Sequence, residues 1–209
     1  MLGALLHKKA AACLLTLSLC ASVLLYAQDD DPDIETDWDL YSGELYVRGD
    51  QTFIISLGTI FPLMFINNGE LLENKIDPPV GGSGLLAYNY YLSSKFFIGG
   101  EVGGMFLPTI GRNTIFMIPL GFRAGIHFIA SRFEFPVNLA IGMTWHNYLN
   151  LGYYGLYAKL GAAAFFRATS EWSFGITTHF GWYPEWTSEP AKNVDGYLLD
   201  TMLSARYHF

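Results

Sequence analysis

Four histidines (His127, His146, His179, His208), three acids (Glu101, Glu134, Asp200) and four bases (Arg123, Lys159, Arg167, Arg206) are the groups in this chain most able to do chemistry. A metal site would need ligands at close spacing, such as His-x-His on one strand. The histidines lie on separate segments and show no such spacing, so neither a metal nor another cofactor is expected. A serine–histidine hydrolytic pair would need a serine at a neighbouring position of the same face beside His146 and Asn147, and none stands there. Partners can converge from distant segments, which leaves a lipid-modifying enzyme as an alternative, but the expectation is a non-enzymatic protein. Three acids against four bases come close to charge balance, as groups withdrawn from water require. The expectation is therefore a structural polar network of Glu101, Arg123, His127, Glu134, Asn138, Lys159, Arg167, His179, Asp200 and Arg206. Short turns would set His127 opposite Glu134, Arg123 opposite Asn138, Lys159 opposite His179 and Arg167 opposite Glu171.

A period of two puts these groups on one face. Phe133, Phe135, Val137, Leu139, Ile141, Met143 and Trp145 alternate with Glu134, Pro136, Asn138, Ala140, Gly142, Thr144 and His146. Trp172, Phe174, Ile176, Thr178, Phe180 and Trp182 alternate with small or polar residues in the same way, and eight such segments follow one another from Gln51. Alternation over this length means strands with one apolar face. In a soluble barrel that face would point inward, and the other would carry Lys, Glu and Thr for water. Here the other face carries Gly58, Gly99, Gly121, Gly125, Gly142, Gly161 and Gly175 between sparse charges, which suits the crowded inside of a narrow barrel. With 51% apolar, 16% aromatic and only 15% charged residues, the apolar face must meet something other than water. The predicted fold is all-β, an eight-stranded antiparallel up-and-down barrel spanning a membrane, with aromatic residues near the strand ends as interfacial girdles.

The N-terminal region is expected to divide in two. Lys8 and Lys9 before the apolar run Ala10 to Tyr26, with small Ala27 after it, predict a secretory signal over 1–27. An acidic, solvated tail over 28–50, rich in aspartate from Asp29 to Asp39, would precede the barrel at 51–209. Both cysteines, Cys13 and Cys20, fall within the leader, leaving no disulfide or thiolate chemistry afterwards. Loss of Lys8 and Lys9 takes the formal charge from −7 to −9, which speaks against nucleic acid as a partner. Short joins at Ser93–Lys95, Ala130–Arg132 and Ala168–Ser170 alternate with longer ones at Asn67–Ser83, Pro108–Asn113, Asn147–Gly152 and Pro184–Asp195, so both chain ends are expected on the periplasmic side. Arg48-Gly49-Asp50 is then a periplasmic turn, and Gly81-Gly82-Ser83-Gly84 the flexible end of a surface loop.

The C-terminal pattern Leu203, Ala205, Tyr207, Phe209, closing on phenylalanine, resembles the signal by which bacterial assembly machinery recognises outer-membrane barrels. The region from Gln51 onward resembles small outer-membrane proteins of the OmpX, OmpW and OmpA-barrel type, and Tyr90-Tyr91-Leu92-Ser93-Ser94-Lys95-Phe96-Phe97 resembles spirochaetal members. The resemblance implies a bacterial outer-membrane location, with membrane lipid and the assembly machinery as partners. It also implies a structural, surface-exposed or narrow-channel role, with adhesion to a host surface molecule through the longer loops as an alternative. Interrupted strands in OmpW-like proteins accompany a lateral opening for small apolar solutes. Pro62 and Pro119, with Ile60, Met105 and Met117, are the residues that would build such a route here.

Overall fold

The computed structural model describes residues 46–67, 69–72, 80–109, 113–148, 151–185 and 193–209. The expected leader and the acidic tail as far as residue 45 lie outside these residues. Nine antiparallel strands follow in chain order: β1 (Gln51–Asn67), β2 (Glu70–Leu72), β3 (Gly81–Tyr91), β4 (Phe96–Thr109), β5 (Asn113–Ala130), β6 (Phe133–Tyr148), β7 (Leu151–Arg167), β8 (Trp172–Glu185) and β9 (Val194–His208). Each pairs with the next, except that β3 pairs with β1 past the three-residue β2, and β9 returns to β1 and closes the cylinder. Eight strands make the wall. β2 folds back on the end of β1, Phe65 opposite Leu72, within what alternation alone assigned to a loop.

Large apolar side chains cover the outside. Phe122 is 80% exposed, Leu203 72% and Leu57 69%, and more than thirty large hydrophobic residues share that surface. Water does not tolerate an apolar belt of this extent, whereas hydrocarbon does. Aromatic pairs gather toward the strand ends. Phe133 packs on Phe166 and Trp172 on Tyr207 at one end, and Phe116 on Trp145 and Phe180 on Tyr197 toward the other. The C-terminal residues face outward, and the amide of Phe209 donates to the Gln51 carbonyl at 3.0 Å, extending the closing seam to the last residue.

Tight turns, one of them with Ser131 at φ 57°, join β3 to β4, β5 to β6 and β7 to β8 at the end that carries Gln51 and Phe209. At the opposite end, β6 reaches Tyr148 and β7 starts at Leu151, so that join is as short as the turns below, contrary to the length alternation expected. All wall strands but the 11-residue β3 run 14–18 residues against the roughly 9–11 that a tilted strand needs to cross hydrocarbon, so they continue as hairpins beyond it. Gly81 to Gly84 likewise belong to β3 rather than to a flexible loop. Gly82 lies opposite Phe106, whose ring occupies the space a side chain there would fill.

Register departs from expectation by one turn position. Ala130 pairs with Phe133, leaving Ser131 and Arg132 as the turn, so His127 faces Pro136, Arg123 faces Ala140, Lys159 faces Gly181 and Arg167 faces Ser173. Moving the centre of each turn by one residue moves every cross-strand partner by two and keeps the faces unchanged.

Candidate functional site

Among the described residues the wall encloses a lumen, and its content decides what the protein can do. The structure places all ten members of the expected polar network there, each no more than 9% exposed. They assemble into clusters rather than a ladder of facing pairs.

Near the terminal end, Glu134 is the hub. Arg206 bonds its carboxylate, His127 Nε2 approaches Oε2 at 3.0 Å, the Tyr46 hydroxyl donates to Oε2 at 2.8 Å, and Arg167 stands 3.7 Å from Oε1. His127 and Glu134 therefore meet, though diagonally across the shifted register. Arg167 also donates to the Ser170 carbonyl, at 2.9 Å, instead of pairing with Glu171.

Alternation gave no warning of Tyr46. It belongs to the segment expected to be a solvated tail, yet it is 2% exposed, stacks on Tyr91 at 4.0 Å and hydrogen-bonds His208 at 3.1 Å. A tight turn at Arg48 and Gly49 folds it back into the barrel. Gly49 sits at φ 108°, where other residues are strained, and the Asp50 carboxylate accepts from the Val47 amide. Tyr46 precedes β1, and burial raises its hydroxyl well above the usual phenol range, keeping it protonated as a donor to Glu134.

Toward the other end, Glu101 is bound by Lys159 at 2.6 Å and by the Tyr157 hydroxyl at 3.0 Å, with Arg123 at 3.8 Å; His179 pairs with Asp200 at 2.7 Å. Lys159 and Arg123 thus converge on Glu101 from different strands and not on their expected partners. Asn138, 2% exposed, lies against Gly161, whose missing side chain makes room for its amide. Between these layers the remaining void is about 10 Å³, room for about one water.

Much of the lumen is also apolar, well beyond the Ile60, Met105 and Met117 expected there. Ile54, Leu85, Ala87, Phe165 and Met202 form one cluster, and Ile60, Met105, Leu107, Met117, Ala140, Tyr157, Tyr183 and Leu198 another. An eight-stranded cylinder is just filled by its side chains, so aliphatic groups occupy whatever the charges leave. Four of the five expected route residues meet around the second cluster: Ile60, Met105 and Met117 within it, and Pro119 beside it on β5. Met105 pairs with Met117, but no pairing links Gly103 and Gly104 to Ile118 and Pro119, where proline lacks the hydrogen to donate. Gly103 points inward and is partly exposed. Pro62 lies buried where the β1–β9 register shifts before Met64, at a different seam, with β3 between its strand and the strands of that gap.

The second apolar cluster opens at its far side into a cleft of about 70 Å³, lined by Phe65, Leu107, Ile115, Met117 and Leu198 together with His146, Tyr153 and Glu185. His146, weighed as a hydrolytic base, has no serine partner among the described residues. A serine–histidine pair occurs instead at the terminal end, Ser173 Oγ to His208 Nε2 at 2.7 Å, but Ser173 is fully buried and leaves no room for a carbonyl to approach. No cluster of three potential metal ligands occurs among the described residues.

Comparison with known proteins agrees with this architecture. A protein-family model matches residues 30–207. Neisserial surface protein A superposes with a TM-score of 0.58 over 77% of this chain and 97% of its own, at 6% identity, which is a likeness of fold. The chain has the fold of the small eight-stranded outer-membrane β-barrels. Two relatives come from the spirochaete Treponema pallidum (strain Nichols), both described as uncharacterized proteins. One is 29% identical over 143 residues, 68% of this chain and 62% of its own length; the other is 30% identical over 67 residues, 32% and 23% respectively. The chain thus spans less than two thirds of the length of either relative. As a closed antiparallel barrel with an apolar, uncharged belt, the protein is integral to the bacterial outer membrane.

Proposed function

We propose that this barrel passes small apolar solutes from the cell exterior into the outer leaflet, and does not conduct through to the periplasm. The supporting observation is the pairing gap between Gly103–Gly104 and Ile118–Pro119, which lies next to an apolar cluster reached from the open cleft. Taking the terminal end as periplasmic, a solute enters by the cleft and meets Met105 and Met117, whose unbranched thioethers reorient at low cost. It cannot continue downward, because charged layers around Glu101 and Glu134 would have to be broken. The unpaired stretch at Pro119 offers the nearer exit, sideways into hydrocarbon.

Liposomes containing the barrel and an entrapped solvent-sensitive dye test this reading. Wild-type protein should accelerate arrival of a small hydrophobe. Met105→Trp, which fills the lumen beside the gap, should reduce the rate at least several-fold, and Pro119→Ala, which restores a ladder donor, should reduce it less. Uptake that is the same in all three, with circular dichroism showing each folded, overturns the proposal.

A further inference from the structure

His146 stands out among the buried polar groups at the open end. It is 4% exposed and its ring stacks on Tyr153 at 4.5 Å, yet Nε2 has no hydrogen-bond partner among the described residues and lines the cleft. Its space is kept clear by Gly155, where a Cβ would lie 3.2 Å from Nε2 and 3.3 Å from the Pro184 carbonyl. Tyr153 and Glu185 line the same cleft beside it. A buried, unpaired nitrogen is costly unless something else supplies its hydrogen bond.

We infer that His146 Nε2 is the polar anchor of a binding site for a neutral, unbranched hydrocarbon carrying a hydroxyl, whose tail lies along Leu107, Met117 and Leu198. The inference rests on the solute-uptake reading and names the solute class. Charge discriminates first. A carboxylate would face Glu185, and an ammonium would lose its hydration against aliphatic walls. A hydroxyl both donates and accepts, so it matches either tautomer of the imidazole. Shape discriminates next. A cleft of about 70 Å³ is less than half of the roughly 150 Å³ that an apolar cavity offers to benzene, so it admits a chain end rather than a ring.

Barrel in lipid nanodiscs, with histidine ring nitrogens labelled by ¹⁵N and methionine methyls by ¹³C, is titrated with 1-hexanol, hexane or hexanoate. Hexanol should shift His146 Nε2 and the Met117 methyl together and saturably; hexane should move only Met117, about tenfold more weakly, as loss of one hydrogen bond implies. Hexanoate should move neither. His146→Leu should weaken hexanol about tenfold and leave hexane unchanged, and Gly155→Ala should weaken hexanol in a second background, the other methionine methyls reporting that each variant is folded. Equal affinity for hexanol and hexane, or a His146 resonance that hexanol leaves in place, overturns the anchor while sparing the uptake reading. Failure of every probe to move Met117 overturns both.

Discussion

Single residues in this lumen act through what they leave behind when removed. Glu134 accepts from Arg206 and Tyr46 and lies 3.0 Å from His127 Nε2, so Glu134→Ala strands two buried donors and should cost about 3–5 kcal/mol, the range for breaking a buried ion pair. Tyr46→Phe removes only the hydroxyl and keeps the stack on Tyr91, and should cost about 1–3 kcal/mol. Denaturant unfolding in detergent micelles measures both; a Tyr46→Phe loss equal to that of Glu134→Ala would mean that Tyr46, not the carboxylate, is the hub. The charges were legible because alternation assigned each of them to the uncharged belt's opposite face. Tyr46 was not, since a residue held by one turn and one stack outside any strand leaves no period to detect.

At the scale of strands, alternation specifies which face a side chain takes but not which neighbour it meets. His127 was correctly placed inward and still expected opposite Glu134, because the period of two is blind to where a two-residue turn is centred; Ser131 in the left-handed region decides that. Close approach between strands is likewise invisible until they are paired. Gly121 and Gly142 lie opposite one another, and a Cβ on Gly142 would run into the Leu120 carbonyl and the Gly121 backbone. Gly142→Ala should therefore destabilise the β5–β6 pair by about 1–3 kcal/mol or more, since backbone must move to admit it. Gly104→Ala, with nothing within 4 Å of its Cβ, should stay within about 0.5 kcal/mol. Folding yield into lipid vesicles, scored by circular dichroism, separates the two, and equal loss at both positions would count against the packing assignment.

For the molecule as a whole, the closed state is built from barriers in series. The Tyr46–Glu134–Arg206 layer seals the terminal end, the Glu101–Lys159–Tyr157 layer seals the far half, and the space between holds about one water. An ion crossing the barrel would have to open both at once, so planar bilayers containing wild-type protein should show no steady current at either polarity. The series arrangement makes a sharper claim about variants. Tyr46→Ala removes the lower seal alone and should stay silent, because the Glu101 layer still blocks the path. Pairing it with Lys159→Ser, which unties the upper carboxylate from its closest cation, should give brief, cation-selective openings past a Glu101 then held only by Tyr157 and the more distant Arg123. Conductance from Tyr46→Ala by itself would place the whole barrier at the periplasmic mouth and reduce the Glu101 cluster to packing. Silence from the double variant would mean that the aliphatic clusters above and below it suffice to keep ions out. That outcome would also strengthen the lateral route, since a lumen that excludes ions after both seals are loosened is one that favours apolar solutes.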